Sequence, residues 1–138
     1  MCTLRATGKT FDVDRFLKRC PWKASAIFHR GDVRGKTTAG SSSFNIGVSD
    51  ASWCDLSAQI RDATKFIIRN GASLRRLRRF PGVESVTLDF PIECRLNPKA
   101  VWVQEERFPE VLLELAGKYG LEIALSIYPP SSKKSRSK

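Results

Sequence analysis

The sequence predicts an α+β fold: a two-layer sandwich whose antiparallel or mixed sheet carries its helices on one face. Three observations lead there. The strand-like segments are apolar on one parity only, so one face of the sheet is dry and the other wet. Stripes of helical period alternate with those segments. The order strand, helix, strand, strand, helix, strand over residues 1–96 follows the split βαβ plan, so the fold is partly ferredoxin-like, with a hairpin, helix and strand appended.

Cys2, Leu4 and Ala6 alternate with Thr3, Arg5 and Thr7, which predicts a first strand ending at Gly8. Asp12 is placed to cap a helix with Val13, Phe16, Leu17 and Cys20 at i, i+3, i+4 and i+7; Phe11 can pack on Phe16 as a staple, and Pro21 ends the run. Trp22, Ala24, Ala26 and Phe28 predict a second strand, and Phe44, Ile46 and Val48 a third, joined by a Gly- and Ser-rich connection over residues 30–43. Ser52, with Asp55 three residues on, resembles a capping box and opens a second helix whose buried face is Leu56, Ile60, Ala63 and Ile67. Asn70 and Gly71 predict its left-handed end, after which Ser73 caps a short extra turn carrying Leu74, Leu77 and Phe80.

The clearest strand pattern follows, with Val86, Leu88, Phe90, Ile92, Cys94 and Leu96 alternating with polar positions and with Pro91. Pro91 has no N–H for a ladder, which predicts a strand at the sheet edge, or one bent there. Asn97 and Pro98 predict a turn into a strand at residues 101–103. Phe108, Val111, Leu112, Leu115, Ala116 and Tyr119 predict a last helix from Pro109 to Gly120, and Leu121, Ile123, Leu125 and Ile127 a final strand.

A length of 138 residues suits one core, and 41% hydrophobic with 28% charged residues excludes the disordered, collagen-like and disulfide-scaffold classes. One domain is expected over residues 2–129, with a disordered basic tail over residues 130–138. The longest apolar run is four residues, 100–103, against the roughly 18 a membrane helix needs. Charges throughout the first twenty residues break up any secretory signal, so the expected location is cytoplasmic, with no membrane partner. Cys2, Cys20, Cys54 and Cys94 lie far apart without a Cys-x-x-Cys pair, and His29 is the single histidine. Free thiols, no metal site and no cofactor are expected.

Gly8, Lys9, Thr10 and Gly35, Lys36, Thr37 both read Gly-Lys-Thr, but a phosphate loop needs a further glycine where Thr3 and Arg30 stand, so neither copy wraps a phosphate. Cys54 falls in the predicted first turn of the second helix, where the dipole favours a thiolate. A thiol enzyme there also needs a base, and His29 is the one imidazole that can supply it. His29, Arg30, Gly31 and Asp32 read as a turn, with Gly31 at positive φ and Asp32 bonding nearby backbone. Glu105, Glu106, Glu110 and Glu114 surround the start of the last helix, where they offset its dipole.

Charge is unevenly distributed. Residues 1–49 carry nine basic and three acidic groups and residues 50–80 seven and three, together +10, whereas residues 81–130 carry −4 and the tail adds Lys133, Lys134, Arg136 and Lys138. The sharpest feature is Leu74, Arg75, Arg76, Leu77, Arg78, Arg79, Phe80, which sets four guanidinium groups around an apolar anchor. With Lys65 and Arg69 it makes six cations within fifteen residues, suited to carboxylate or phosphate contacts.

The residues at 4–8 followed by Phe11, Asp12 and Phe16, then Arg30, Gly31 and Asp32, Ser43 and Phe44, the helix over residues 56–68, and the ending Leu112, Leu115, Ala116, Gly120, Leu121, Ile127, Tyr128 make the chain similar to a family of small bacterial α+β proteins classed only as a domain of unknown function. The resemblance covers about residues 3–128. It implies an intracellular single-domain protein with no assigned catalytic residue or cofactor, and some relatives look like immunity proteins of toxin systems. The basic first half and tail depart from that pattern. The expected function is a non-catalytic binding module, immunity-like, whose surface at Lys65, Arg69, Arg75, Arg76, Arg78 and Arg79 meets an acidic protein partner. A nucleic-acid-binding accessory domain is the alternative, and a Cys54-dependent thiol enzyme the third.

Overall fold

The computed structural model describes residues 1–130; the expected tail lies, from residue 131 on, outside the described residues. In chain order the elements are β1 (Thr3–Gly8), α1 (Val13–Leu17), β2 (Ala26–Phe28), β3 (Val33–Arg34), β4 (Thr37–Thr38), β5 (Ser42–Gly47), α2 (Leu56–Arg69), α3 (Gly71–Arg79), β6 (Ser85–Glu93), α4 (Glu110–Tyr119) and β7 (Glu122–Tyr128). The fold is mixed α+β, with four helices and a five-stranded mixed sheet in the order β2-β5-β1-β6-β7. The first four strands pair antiparallel, and β7 joins β6 in parallel through the α4 crossover.

β1 is the central strand because its apolar parity is covered from both sides. Leu4 lies opposite Ile46 and Leu88, and Ala6 opposite Phe44 and Val86, all of them buried. Val13, Phe16, Ile60, Ala63, Ile67, Leu74, Leu77, Leu112 and Ala116 from the helices join those strand residues in one cluster. On the other parity Arg5 is exposed and bonds Asn45, Thr87 bonds Glu122, and Ser126 bonds Asp89, so that face is satisfied by cross-strand polar pairs.

Several local expectations are corrected. The N-cap of α2 stands three residues later than Ser52: it is Asp55, which accepts from the Ala58 N–H at 3.0 Å, while Ser52 Oγ accepts from the Cys54 N–H. Asn70 does not end α2 in a left-handed turn, since its φ is −111° and Gly71 begins α3 at once. Gly71 is there for space: a Cβ would stand 2.4 Å from the Tyr119 hydroxyl. The short extra turn is a nine-residue helix. The second strand covers Ala26–Phe28 alone, and residues 30–43 hold the small β3–β4 hairpin. The appended hairpin shrinks to a single bridge between Asn97 and Val101, leaving Trp102 and Val103 exposed. Val111, placed on the buried stripe of the last helix, is 55% exposed.

Pro91 is the instructive case. β6 is an inner strand, but its pairing with β1 stops at Asp89 opposite Thr3. The Pro91 carbonyl accepts from Gln59 Nε2 at 2.9 Å, so the ring nitrogen also points past the end of β1, where no ladder bond is lost. Gln59 is fully buried and spans from there to the Ser52 carbonyl, fastening α2 to the sheet.

Two glycines set the approach of the β1 end to the turn before β6. A Cβ at Gly8 would lie 1.8 Å from the Gly82 carbonyl oxygen, and one at Gly82 2.5 Å from the Thr10 carbonyl, with Gly82 at φ +87°. Backbone stands on both sides, so neither position can relax by moving a side chain. Gly8→Ala and Gly82→Ala are each expected to lower stability by about 2 kcal/mol or more, seen as a fall in the urea midpoint at unchanged slope.

Candidate functional site

The cationic surface is built from two successive helices. α2 buries Ala63 and Ile67 and turns Arg61, Lys65 and Arg69 outward at i, i+4 and i+8, all exposed. α3 buries Leu74 and Leu77, which leaves Arg75, Arg76, Arg78 and Arg79 exposed on either side of that anchor. All six predicted cations therefore reach solvent on neighbouring elements. Arg61 completes the α2 row and was missed; its spacing of four from Lys65 was the available signal.

Two of the α3 guanidinium groups are held by rings. Arg76 lies 4.9 Å from the Phe16 ring centroid, with Nη2 3.4 Å from the Phe16 carbonyl oxygen. Arg75 lies 5.3 Å from the Tyr119 centroid, and the Arg78 side chain runs against Gly120. Such contacts contribute about 0.5–1 kcal/mol each and leave the charge uncancelled. The ion pairs found join His29 to Asp14 and Asp32, Arg95 to Glu106 and Arg107 to Glu105. Among the described residues, none of the six predicted cations, nor Arg61, has a carboxylate at ion-pair distance.

Cys54 precedes α2 rather than occupying its first turn, because Asp55 takes the cap. Its exposed thiol donates to Glu93 Oε2 at 3.2 Å, beside Trp53, which stacks on Tyr128 with centroids 4.6 Å apart. His29 follows β2 near the end of β1 that carries Thr7, whereas Glu93 lies past the end that carries Thr3. The imidazole and the thiol are thus at opposite ends of the sheet, with β5 and β1 between their strands. Instead, His29 Nε2 meets Asp14 Oδ2 at 2.8 Å. Gly31 takes φ +92° and Asp32 accepts from the His29 N–H, as the turn motif anticipates. The first Gly-Lys-Thr copy runs from the end of β1 toward α1, and the second spans the β3–β4 turn into β4.

No family model, curated protein or solved structure matches the chain. Among the described residues, no helix is long and apolar enough to cross a membrane.

Buried Cys2 and half-buried Cys20 carry a pH signature. Burial, with Asp89 adding to it, pushes Cys2 from 9.0 up to about 12, and burial raises Cys20 in the same direction. Above pH 9 the unfolded Cys2 thiol releases its proton while the folded one keeps it until about 12. The unfolded state then binds fewer protons, so the contribution of Cys2, complete below pH 9, is lost as pH rises through that window. The stability advantage of the native chain over Cys2→Val is expected to shrink by up to about 1.4 kcal/mol per pH unit there. Urea unfolding of both chains at graded pH reads it, and an advantage constant across the window would contradict it.

Proposed function

We propose that this chain is a non-catalytic binding module that docks an acidic protein through the outer faces of α2 and α3. One observation carries the reading: Lys65, Arg69, Arg75, Arg76, Arg78 and Arg79 are all exposed on two successive helices, without a carboxylate partner among the described residues. Like charges at i, i+4 on a helix cost about 0.2–0.5 kcal/mol per pair, and the row Arg61, Lys65, Arg69 carries that cost twice. A face selected for solubility alone is better served by mixed signs. Partner carboxylates remove the repulsion and gain charge-assisted bonds.

Around Arg75 and Arg76 the surface suits carboxylates better than stacked bases. Single-stranded bases need open aromatic or guanidinium planes to stack on. Here Phe16 is fully buried and Tyr119 is 9% exposed, and the Arg76 and Arg75 groups already lie against them. The immunity-like role in a bacterial cytoplasm belongs to this proposal, as does kinship with the uncharacterised α+β family. So does the finer fold reading. The order β2-β5-β1-β6, antiparallel throughout, is taken as the split βαβ, ferredoxin-like plan, with the helices forming one layer of a two-layer sandwich.

Labelled polyglutamate is expected to bind with an affinity that falls steeply between low and moderate salt. Changing Arg75, Arg76, Arg78 and Arg79 together to Gln should weaken it about tenfold or more. The same change at Arg30, Arg34 and Lys36 should have a much smaller effect, and thermal unfolding of both variants checks that they remain folded. Tighter binding of double-stranded DNA than of polyglutamate at equal ionic strength would transfer the chain to the nucleic-acid class.

A further inference from the structure

Between α2 and the segment leading into α4 runs a groove of about 780 Å³. Ile60, Phe108 and Pro109 give it an apolar side, and Arg61, Lys65 and Arg107 line it with cations. The apolar side is firmly based: Ile60 is 8% exposed, and Phe108 packs on buried Phe90 with centroids 5.3 Å apart. Arg107 is paired with Glu105, whereas Arg61 and Lys65 have no carboxylate among the described residues. Lys65 also lines a second depression with Arg69 and with Asp62, whose carboxylate accepts from the Ser49 hydroxyl, so the groove adjoins the face that carries Arg69.

We propose that the groove takes one bulky apolar side chain of the acidic partner, a phenylalanine or leucine, flanked by carboxylates that meet Arg61 and Lys65. The inference rests on the cationic-face reading and adds to it an anchor. Charge complementarity names the occupant. Arg61 and Lys65 are one helical turn apart, so their Cβ atoms are about 5–6 Å from each other. That separation matches one turn of a helix. Carboxylates at i and i+4 of a partner helix therefore meet both cations while an apolar residue at i+3, on the adjacent strip of the same face, enters the groove. The phosphodiester backbone of a duplex offers comparable charge, but its bases are stacked inside and present no apolar group to this wall.

The test compares a labelled acidic peptide with a central phenylalanine against its twin with serine at that position, by fluorescence anisotropy at fixed salt. The phenylalanine peptide is expected to bind about tenfold or more tightly, the usual return on burying such a side chain. Ser57→Trp places a bulky ring at an exposed lining position without touching charge. It should erase the preference while leaving the serine peptide and the thermal midpoint unchanged; Thr64→Phe, two turns along the same face of α2, is the second variant. Equal binding of both peptides, lost in Arg61→Gln with Lys65→Gln, would overturn the anchor and leave the cationic-face reading standing. A preference for phenylalanine that survives both filling variants would also overturn the anchor. Failure of both peptides to bind at low salt would remove both readings, and tighter binding of a DNA oligonucleotide would replace them.

Discussion

Phe16 joins the core to the charged surface. Its ring is fully buried and touches Phe11, Trp22, Phe44 and Phe80, stacking on Phe44 at 5.7 Å with an angle of 7° and meeting Phe80 edge-on at 5.4 Å. Its outer side faces Arg76. α1 has five residues, too few to be stable in isolation, so its existence depends on what Phe16 and Val13 bury and on the Asp12 cap. Each aromatic contact adds about 0.5–1.5 kcal/mol beyond buried area, enough to hold one turn that nucleation alone disfavours. Small residues make the room: Ala6 lies beside Phe44 on the neighbouring strand, and Gly8 admits the turn at Gly82.

From Phe16 the connection continues through Trp22, whose ring lies 5.6 Å from Phe66 and whose indole N–H donates to Asn70 Oδ1 at 2.9 Å. Asn70 is the hinge between the two cationic helices. Its Nδ2 also bonds the Phe66 carbonyl, leaving the amide satisfied on both ends. Gly71 lets the chain pass Tyr119 closely, and α3 leaves at once, laying Leu74 and Leu77 in the core. The position of the helix that carries the arginines is thus set by a series of contacts that starts at β5 and ends at α4.

The sheet was legible in the sequence because its apolar parity is nearly unbroken: Leu4 and Ala6, Phe44 and Ile46, Val86, Leu88 and Phe90 all lie on the dry side. Gly120 was legible for the same local reason, since the helix before it needs a left-handed residue and finds φ +66°. What the pattern missed depends on partners distant in sequence. Pro91 reads as an edge signal, and only the length of β1 shows that an inner strand can carry it. Asn70 and Gly71 read as a stop, until Tyr119, 48 residues on from Gly71, supplies the reason for the glycine. Ser52 resembles a cap at least as well as Asp55 does, and Gln59 decides between them by binding the Ser52 carbonyl outside the helix. Of the site, the Arg75–Arg79 run is plain in sequence, whereas the groove that Phe108 forms with Ile60 joins elements nearly fifty residues apart.

The two halves of the cationic surface differ in what sustains them. Arg76, Arg78 and Arg79 occupy the last turn of α3, where cations stabilise the helix dipole by about 0.3–1 kcal/mol each. With the ring contact under Arg76 added, much of the α3 cluster is compatible with a purely structural origin. α2 differs: Arg69 alone is in its last turn, and Arg61 and Lys65 stand further back, repelling along the row without a ring contact or ion pair among the described residues. Folding explains the arginines of α3 better than it explains Arg61 and Lys65. The weaker cluster in sequence is therefore the stronger pointer to a partner, and it is the one that lines the groove.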